Sequence, residues 1–546
     1  MPGISAPGCK ELWQLPGPLI SMFTGGSRRG PASLAGPRGA RYPVGMDTPP
    51  SEGAASSGLR PRVGLLLGPA LFAAMLLAPA PDGLAAAGWR AAAVGALMAV
   101  WWVTEAVPIA ATALLPLPLF PLLRVVEIEA AAAPYANPLI FLFMGGFLLA
   151  LAMQRWNLHR RIALGVVGRM GTSPARLVGG FMAATALISM WVSNTATAVM
   201  MLPIGISVTE LVLPREGEAG EEERAFAAAL MLGIAYAASI GGFATLIGTP
   251  PNALLAGFVR ETYGYEVGFG QWMLVGVPLM LLVLPLTWLL LVRGVFRIRA
   301  REIPGGRELI RREIAKLGPM SRPEWMVLVV FGAAATLWVV HPFLRRWVPE
   351  GVLSDAGIGM GAALLLFVLP SGRGRGEFVL DGGVFARLPW QVLLLFGGGL
   401  SLADALTETG VAKWIGAGLQ GVGALPLPVV VATVCAVIVL LSEVASNTAV
   451  AAALLPVVGS LALGIGENPL LLVVPAALAA SCGFMLPVAT PPNTIAYGTG
   501  HVSVPQMARA GAWLDVLCVA AILAVAYTTL LWAFGIRIGV VPGWAG

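Results

Sequence analysis

Two short stretches place the same polar triplet inside long apolar runs: SNTATAVMMLPI at residues 193–204 and SNTAVAAALLPV at residues 446–457. The chain contains only seven asparagines, and one lies in each triplet. Two more belong to a second repeated motif, Thr-Pro-Pro-Asn, at residues 249–252 and 490–493. Polar groups are costly in an apolar segment unless they are partnered. A motif pair that occurs twice in this setting therefore indicates a duplicated site.

The composition indicates a membrane protein. Of the 546 residues, 57% are hydrophobic and 11% are charged, and the mean hydropathy is +0.83. Soluble domains carry about 25% charged residues. Apolar stretches of about 20 residues recur between residues 62 and 536, and each is long enough to cross about 30 Å of hydrocarbon. We therefore predict an all-α polytopic membrane protein surrounded by lipid.

Charge and rare residue types argue against other classes. The net charge of +6 comes from basic residues that cluster in loops, as the positive-inside rule expects, so no nucleic-acid partner is predicted. The cysteines and histidines show neither disulfide nor metal-binding spacing. They are Cys9, Cys435, Cys482, Cys518, His159, His341 and His501. The repeated motifs offer amides and hydroxyls without a base, so an enzyme is not predicted.

The first 61 residues differ from the rest of the chain. Residues 1–61 are rich in Gly, Pro, Ser and Arg and lack helical periodicity, which is typical of disorder. They contain no compact apolar core of the kind found in signal peptides. We expect a disordered cytoplasmic segment in which Met46 is a second candidate, beside Met1, for the start of the chain.

Loop charge decides the topology. Nine basic residues lie between residues 293 and 324, so the loop 297–324 is predicted to be cytoplasmic. The N-terminal segment and the loop 155–176 are also basic. All three share one side only if residues 177–213 and 428–464 are re-entrant hairpins. This predicts about eleven transmembrane helices and two hairpins in the inner (plasma) membrane, with the N-terminus inside and the C-terminus outside. The predicted spans are 62–80, 88–107, 110–124, 137–156, 225–259, 272–295, 325–347, 353–370, 388–406, 467–500 and 510–536.

The sequence contains a long internal repeat. LFMGGFLLALA from Leu142 matches LLFGGGLSLAD from Leu394, and GGFATLIGTPPNALLAG from Gly241 matches CGFMLPVATPPNTIAYG from Cys482. In each half, the glycine-containing block precedes the Ser-Asn-Thr triplet and the Thr-Pro-Pro-Asn block follows it. After a first transmembrane helix in 62–87, residues 88–296 and 325–540 are predicted to be two inverted copies of one unit. Inverted repeats with broken helices are typical of secondary transporters.

The motifs suit both signs of charge. At a hairpin tip, the starting helix offers unpaired N–H groups and a positive dipole end to an anion. Ser189 and Ser442 lie four residues before the triplet serines, on the same helical face, and their oxygens suit a small hard cation such as sodium. Thr-Pro-Pro-Asn interrupts a helix because proline lacks an N–H. Each interruption is predicted to face the hairpin tip of its own half.

The apolar segments that carry the motifs contain no Arg or Lys. This holds for residues 177–213, 225–259, 428–464 and 467–500. An unpaired charge at the bilayer centre costs at least about 3 kcal/mol, so bound cations would have to balance a bound anion. An alternative is that Ser, Thr and Asn only join helices through hydrogen bonds. Glu443 either orients its hairpin or packs as a protonated acid. Glu105 is predicted to be a helix-end or loop-anchoring carboxylate rather than a ligand.

These blocks resemble the divalent anion:sodium symporter family, which includes dicarboxylate, citrate and sulfate carriers. The resemblance covers about residues 88–540 and rests on both triplets, both Thr-Pro-Pro-Asn motifs, WWVTEAVPIAATALLPLPLFPLL (101–123) and NPLIFLFMGGFLLALAMQRWNLHRRIAL (137–164). It implies a homodimer with scaffold and transport domains that works by an elevator motion. The first four and the seventh to ninth spans would form the scaffold. The hairpins, the broken helices and spans six and eleven would carry the substrate.

The resemblance also implies site residues. The first sodium site would use Ser189, Ser193, Asn194 and Gly248. The second would use Ser442, Ala445, Asn447 and Ala489. The substrate carboxylates would meet Asn194, Thr195, Asn447, Thr448, Thr490 and Pro491, with Thr249 and Pro250 as the matching pair of the first half.

The expected function is the import of small divalent anions coupled to sodium. The preferred substrates are C4-dicarboxylates such as succinate, malate or fumarate, with at least two sodium sites per protomer. Three alternatives remain open. They are a sodium-independent dicarboxylate or tartrate exchanger, a citrate or sulfate carrier on the same fold, and a proton-coupled carrier that uses Glu443.

Overall fold

The computed structural model describes residues 59–171, 173–211, 220–298, 306–344, 347, 349, 352–372, 374, 376–418 and 425–545. In these ranges the regular elements are helices, which confirms the predicted all-α class. The prediction of disorder for residues 1–61 and the second start at Met46 lie outside the described residues, except that residues 59–61 form the first turn of a helix.

The α-helices of the first half are numbered in chain order. They are α1 Leu59–Leu77, α2 Ala86–Thr104, α3 Ile109–Ala113, α4 Pro116–Leu122, α5 Ile128–Ala132, α6 Pro138–Arg155, α7 Leu158–Val167, α8 Pro174–Ser189, α9 Asn194–Thr209, α10 Glu221–Gly242, α11 Pro250–Tyr263 and α12 Phe269–Leu289. A π-helical segment, Leu290–Val295, extends α12. Glu105 caps the C-terminus of α2 with a left-handed φ of 52°, so it lies at a helix end as predicted.

The second half has a parallel series of helices. They are α13 Gly306–Lys316, α14 Arg322–Leu344, α15 Asp355–Val368, α16 Trp390–Glu408, α17 Val411–Gly418, α18 Leu427–Ser442, α19 Asn447–Gly464, α20 Leu470–Ala480, α21 Pro491–Gly498, α22 Val504–Val525 and α23 Leu531–Phe534. Helix α13 lies inside the stretch 297–324, which was predicted only as a basic loop.

Nine helical segments of the described residues are long and apolar enough to cross a membrane. Eight of them correspond to predicted spans, and the ninth is α19. The predicted spans 110–124, 353–370 and 467–500 appear instead as shorter helices. A two-residue turn before Pro116 interrupts the first, and a non-helical segment interrupts the third.

The two predicted hairpins are pairs of packed helices, α8–α9 and α18–α19. The first pair begins three residues earlier than predicted because Pro174 follows Ser173 at the helix start, a position that favours proline. Helices α8, α9 and α18 have 16 residues each. At 1.5 Å per residue this is about 24 Å, shorter than the hydrocarbon core.

The matched Gly-Gly pairs let helices of the two halves approach closely. A Cβ atom on Gly145 of α6 would lie 2.6 Å from the Gly359 carbonyl carbon of α15. A Cβ atom on Gly398 of α16 would collide with the Ala113 carbonyl of α3. Each half therefore contributes one glycine helix that packs against a short helix of the other half.

Candidate functional site

We name four segments that organise the site. Tip 1 (residues 190–193) joins α8 to α9, and tip 2 (443–446) joins α18 to α19. Break 1 (243–249) joins α10 to α11, and break 2 (481–490) joins α20 to α21. All four segments precede a helix N-terminus, and the repeated motifs lie at those N-termini.

Each polar triplet forms the start of a helix. Ser193 is the N-cap of α9, and its Oγ accepts a hydrogen bond from the Ala196 N–H (3.4 Å). Ser446 is the N-cap of α19. Asn and Thr then occupy the first two helical positions, whose N–H groups have no intrahelical partner. These two helix ends are therefore the parts of the site best suited to donate to an anion.

The Thr-Pro-Pro-Asn motifs also start helices, but they offer fewer donors. Thr249 and Thr490 are N-caps with extended backbone, and prolines occupy the first two positions of α11 and α21. Since proline has no N–H, these ends contribute a helix dipole and upstream carbonyls rather than a row of donors.

The asparagines of these motifs brace both breaks in the same way. Asn252 Nδ2 donates to the carbonyls of Gly242 (3.0 Å) and Thr245 (2.9 Å). Asn493 Nδ2 donates to those of Gly483 and Leu486, both at 3.1 Å. In each case the acceptors lie ten and seven residues upstream. The repeat found in the sequence therefore extends to the hydrogen bonds that hold each break open.

Tip 1 and break 1 bring several oxygens together around Asn194. In the amide orientation that satisfies hydrogen bonding, Asn194 Nδ2 donates to Ser189 Oγ (2.8 Å), the Ala238 carbonyl (3.0 Å) and the Gly248 carbonyl (3.3 Å). Ser189 Oγ also donates to the Ala238 carbonyl (2.6 Å). Three of the four residues predicted for the first sodium site, Ser189, Asn194 and Gly248, thus meet. Ser193 is exposed at the tip.

Tip 2 and break 2 form the matching cluster with unsatisfied oxygens. Among the residues that the structure describes, Ser442 Oγ and Asn447 Oδ1 are buried atoms without a hydrogen-bond partner. Ala445 and Ala489 are also buried. A hard cation is bound by oxygen atoms of this kind, so the donor set of the second predicted sodium site fits such an ion.

Glu443 fastens break 2 to tip 2. Its Oε1 accepts from the N–H groups of Phe484 (2.7 Å) and Met485 (2.8 Å), and its Oε2 accepts from the Leu486 N–H (2.9 Å). Of the two roles that the sequence left open, the structure supports the orienting one. In the first half, Met190 takes the place of Glu443, and its carbonyl accepts a hydrogen bond from the Thr245 hydroxyl.

The two breaks also contact each other. Thr249 Oγ1 of break 1 lies 3.4 Å from Ser481 Oγ of break 2. Tyr236 of α10 donates its hydroxyl to the Phe484 carbonyl of break 2 (3.0 Å). The two motif sets, separated by about 240 residues in the chain, therefore belong to one site region.

The remaining predicted substrate residues lie around this region with different exposure. Thr195 and Thr448 are half-buried beside their asparagines, Pro250 is half-buried and Pro491 is exposed. Thr249 and Thr490 are buried. Helix α21, which begins at Pro491, packs against α9. The structure therefore places the start of α21, from the second half, against α9 of the first half.

A cavity of about 330 Å³ lies elsewhere, between α11, α16 and residues 126–138. Its lining includes the carboxylates of Glu261, Asp404 and Glu408. Three acidic side chains make this cavity a less suitable place for a dianion than the helix N-termini described above.

Sequence reasoning missed Asp515. It is the only acidic residue of α22 and is buried beside Glu443. The signal was available, since an ionisable residue inside a membrane helix marks a functional site by default. Its partner could not be foreseen because 72 residues separate the two in the chain.

Comparison with known proteins identifies relatives over nearly the whole membrane region. The family profile described as "Sodium:sulfate symporter transmembrane region" matches residues 61–534. A protein of Staphylococcus saprophyticus named sodium-dependent dicarboxylate transporter SdcS is 43% identical over 469 residues, covering 85% of this chain and 90% of that protein. The protein of the same name from Staphylococcus aureus (strain USA300) is 41% identical over 481 residues, covering 87% and 92%.

Two solved structures share the fold. The YdaH transporter of Alcanivorax borkumensis superposes with a TM-score of 0.55 at 16% identity, covering 80% of this chain and 98% of that one. MtrF of Neisseria gonorrhoeae superposes with a TM-score of 0.52 at 14% identity, covering 75% and 83%. At this level of identity the likeness concerns the fold alone.

Proposed function

The chain belongs to the sodium:sulfate symporter family, the divalent anion:sodium symporters, and we propose that it imports C4-dicarboxylates such as succinate, malate and fumarate together with sodium ions. Members of this family are transporters, not enzymes. The names of the relatives, sodium-dependent dicarboxylate transporters at 41–43% identity, support both the substrate class and the coupling ion.

The observation that carries the proposal is the pair of unsatisfied oxygens behind tip 2. Within the described residues, Ser442 Oγ and Asn447 Oδ1 have no partner although both are buried. A sodium ion at this position would satisfy both, with the carbonyls of Ala445 and Ala489 as further ligands. We assign the second sodium site to these four residues.

The first sodium site needs one local rearrangement. Asn194 now directs Nδ2 toward three oxygens, including the Gly248 carbonyl. Turning its amide would place Oδ1 there, and Ser189, Ser193, Asn194 and Gly248 would then surround a cation. The oxygens that accept hydrogen bonds from the Asn194 amide are the same oxygens that would bind the ion. They would therefore have a partner both with and without sodium. At least two sodium sites per protomer follow.

The substrate would lie between the two triplet helices. The starts of α9 and α19 supply N–H groups and the hydroxyls of Thr195 and Thr448 for the carboxylates. Thr490 and Pro491, with Thr249 and Pro250, would contact the same anion from the breaks. No Arg or Lys lies in the motif-bearing segments, so the sodium ions provide the balancing charge. This makes anion binding depend on sodium.

The same proposal includes the transport motion. The hairpins, the breaks, α12 and α22 would move as a transport domain against a scaffold that holds a homodimer. Two inverted repeats, with the hairpins at 174–209 and 427–464 entering from opposite sides, would supply the two end states. The N-terminus would be cytoplasmic and the C-terminus outside the inner membrane.

Uptake of labelled succinate into proteoliposomes tests this function. An inward sodium gradient should drive accumulation, and an equal potassium gradient should not. Equal uptake under both would overturn symport and favour an exchanger. Excess citrate, sulfate and malate test the substrate class, and only malate is expected to compete fully. Asn447→Ala should weaken succinate and sodium dependence together, because one residue serves both ligands.

A further inference from the structure

Tyr236 is a tyrosine of the first half whose hydroxyl bonds to the second half. It lies in α10 and is fully buried. Its hydroxyl donates to the Phe484 carbonyl of break 2 (3.0 Å), and the Met507 carbonyl near the start of α22 lies 3.3 Å from the same oxygen. The rings of Tyr236 and Phe484 pack edge to face with centroids 5.2 Å apart. A helix of the first half therefore holds break 2 near its start.

The equivalent carbonyl of the first half has a donor from its own half. Phe243 of break 1 aligns with Phe484 in the repeat, and its carbonyl accepts a hydrogen bond from Trp272 Nε1 of α12 (3.0 Å). The same alignment matches Tyr236 with Ala477 of α20, which has no side-chain donor. The hydrogen bond between the halves at this position therefore runs in one direction only, from α10 to break 2.

The sequence of α22 explains why the second half needs a donor from elsewhere. Gly276 of α12 and Gly511 of α22 occupy equivalent places, because a Cβ atom on either would collide with the carbonyl at the start of the adjacent break. Four residues before these glycines stand Trp272 and Met507. A methionine side chain has no N–H to donate, and a buried carbonyl without a donor is costly. Tyr236 therefore takes the place that the tryptophan N–H has in the first half.

The same turn of α10 also contacts the first proposed sodium site. Ala238 lies two residues after Tyr236, and its carbonyl accepts hydrogen bonds from Ser189 Oγ (2.6 Å) and from the Asn194 amide (3.0 Å). Both donors are proposed ligands of the first sodium ion. Every residue of α10 from 226 to 242 is buried, and a closely packed interior transmits displacements to its neighbours. One packed helix therefore contacts both the first sodium site and break 2.

Break 2 in turn positions the second proposed sodium site. The Phe484 N–H donates to Glu443 Oε1 of tip 2 (2.7 Å), and Glu443 follows the proposed ligand Ser442 in the chain. Ala489, another proposed ligand, lies near the end of the same break. A continuous series of direct contacts thus runs from the ligands of the first site through α10 and Phe484 to tip 2.

We propose that Tyr236 is a positioning residue that couples the two sodium sites, so that an ion bound at one site favours binding at the other. An ion at the first site orders α10, and the Tyr236 hydroxyl then fixes the Phe484 carbonyl, so less ordering of break 2 remains for the second ion. Coupling of this kind is reciprocal. The inference rests on the sodium sites of the proposed function and does not depend on which anion is transported.

Tyr236→Phe tests the coupling, because it keeps the ring and removes only the hydroxyl. Hydrogen–deuterium exchange of the purified protein, without succinate and with potassium replacing sodium at constant ionic strength, follows peptides of break 1 and break 2 separately. In the wild type, sodium should protect both breaks over the same concentration range. In Tyr236→Phe the two curves should separate, with break 2 requiring about fivefold more sodium, as expected for the loss of one hydrogen bond. Curves that already differ in the wild type, or that still coincide in the variant, would overturn the proposal.

Tyr135→Phe is the matched control, because it removes a hydrogen bond from a tyrosine hydroxyl to the Ala113 carbonyl, which belongs to neither site. It should leave both curves as in the wild type, and an equal separation in this variant would reduce the effect of Tyr236 to general stability and overturn the proposal. Curves that separate only in Tyr236→Phe, in a protein without succinate uptake, would refute the proposed substrate and leave the coupling established. Sodium-driven succinate uptake, with curves that Tyr236→Phe does not change, would give the opposite result.

Discussion

The two halves fasten a helix break to a hairpin tip with different chemistry. In the second half, the Glu443 carboxylate accepts three backbone N–H groups of break 2. In the first half, one hydroxyl, that of Thr245, donates to the Met190 carbonyl. The asparagine braces Asn252 and Asn493 are nevertheless the same in both. Duplication has therefore kept the asparagine braces, while the contacts that join each tip to its break have diverged.

The difference also extends to the backbone of the breaks. Break 1 is compact, since a Cβ atom on Gly248 would lie 2.5 Å from the Gly242 carbonyl oxygen. Break 2 is three residues longer and accommodates Ala489 at the matching position. A compact break can be held by few contacts, whereas a longer one exposes N–H groups that need an acceptor. The carboxylate in the second half supplies that acceptor.

The largest expected effect comes from replacing the two matched tip residues by the same side chain. Glu443→Leu leaves three N–H groups of break 2 without an acceptor, one of them buried and two half-buried. It should cost about 3–5 kcal/mol of stability, with loss of transport. Met190→Leu keeps the volume and should cost less than about 1.5 kcal/mol. Thermal unfolding in detergent and sodium-driven uptake would measure both. Similar losses in the two variants would contradict the asymmetry.

The next largest effect is expected when the residue at the matching position of each break, Gly248 or Ala489, is replaced by the residue that the other break has there. Gly248→Ala forces backbone against backbone and should cost about 2–3 kcal/mol, seen as at least a tenfold loss of sodium affinity. Ala489→Gly only adds flexibility and should cost about 0.5–1 kcal/mol. Succinate uptake, measured as a function of sodium concentration in both variants, tests this difference. A tolerated alanine at position 248 would mean that break 1 is looser than described.

Sequence reasoning predicted the helix breaks and tips because Ser-Asn-Thr and Thr-Pro-Pro-Asn interrupt apolar periodicity. Because both motifs occur twice, the sequence also predicted that the two halves have the same architecture. The local sequence pattern could not predict contacts that depend on the tertiary conformation of a break. The reach of Asn493 to carbonyls seven and ten residues upstream, and the meeting of Glu443 with Asp515, require tertiary structure. Helix α13 was missed because its basic residues dominated the interpretation of that stretch.

The asparagine braces should contribute equally, since their geometry is the same in both halves. Asn252→Ala and Asn493→Ala each remove two hydrogen bonds to backbone carbonyls and should each cost about 1–2 kcal/mol. Unfolding midpoints of the two variants should agree closely. If one variant lost much more stability than the other, the halves would differ in the very contacts that look conserved between them.

The smallest effect is expected at the amphipathic helices that follow α6 and α16. Arg160 of α7 forms an ion pair with Glu313 of α13 (2.7 Å). In the described ranges, Lys413, the one basic residue of α17, forms no ion pair. Glu313→Gln should therefore cost less than about 1 kcal/mol at neutral pH, and Lys413→Met should cost nothing measurable. A larger loss in the Lys413 variant would show that α17 is held by charge after all.

The pH dependence of the Glu313 effect has a defined sign. The hydrogen bond from Lys316, together with Arg160, lowers the pKa of Glu313 below its ordinary value. A carboxyl group whose pKa is lowered by folding stabilises the folded state above its unfolded pKa, and this contribution is lost as the pH falls through the folded pKa. The stability difference between wild type and Glu313→Gln should therefore be constant near neutrality and shrink on acidification below the ordinary range of a carboxyl group. A difference that instead grew on acidification would mean that burial, not the two cations, dominates at this position.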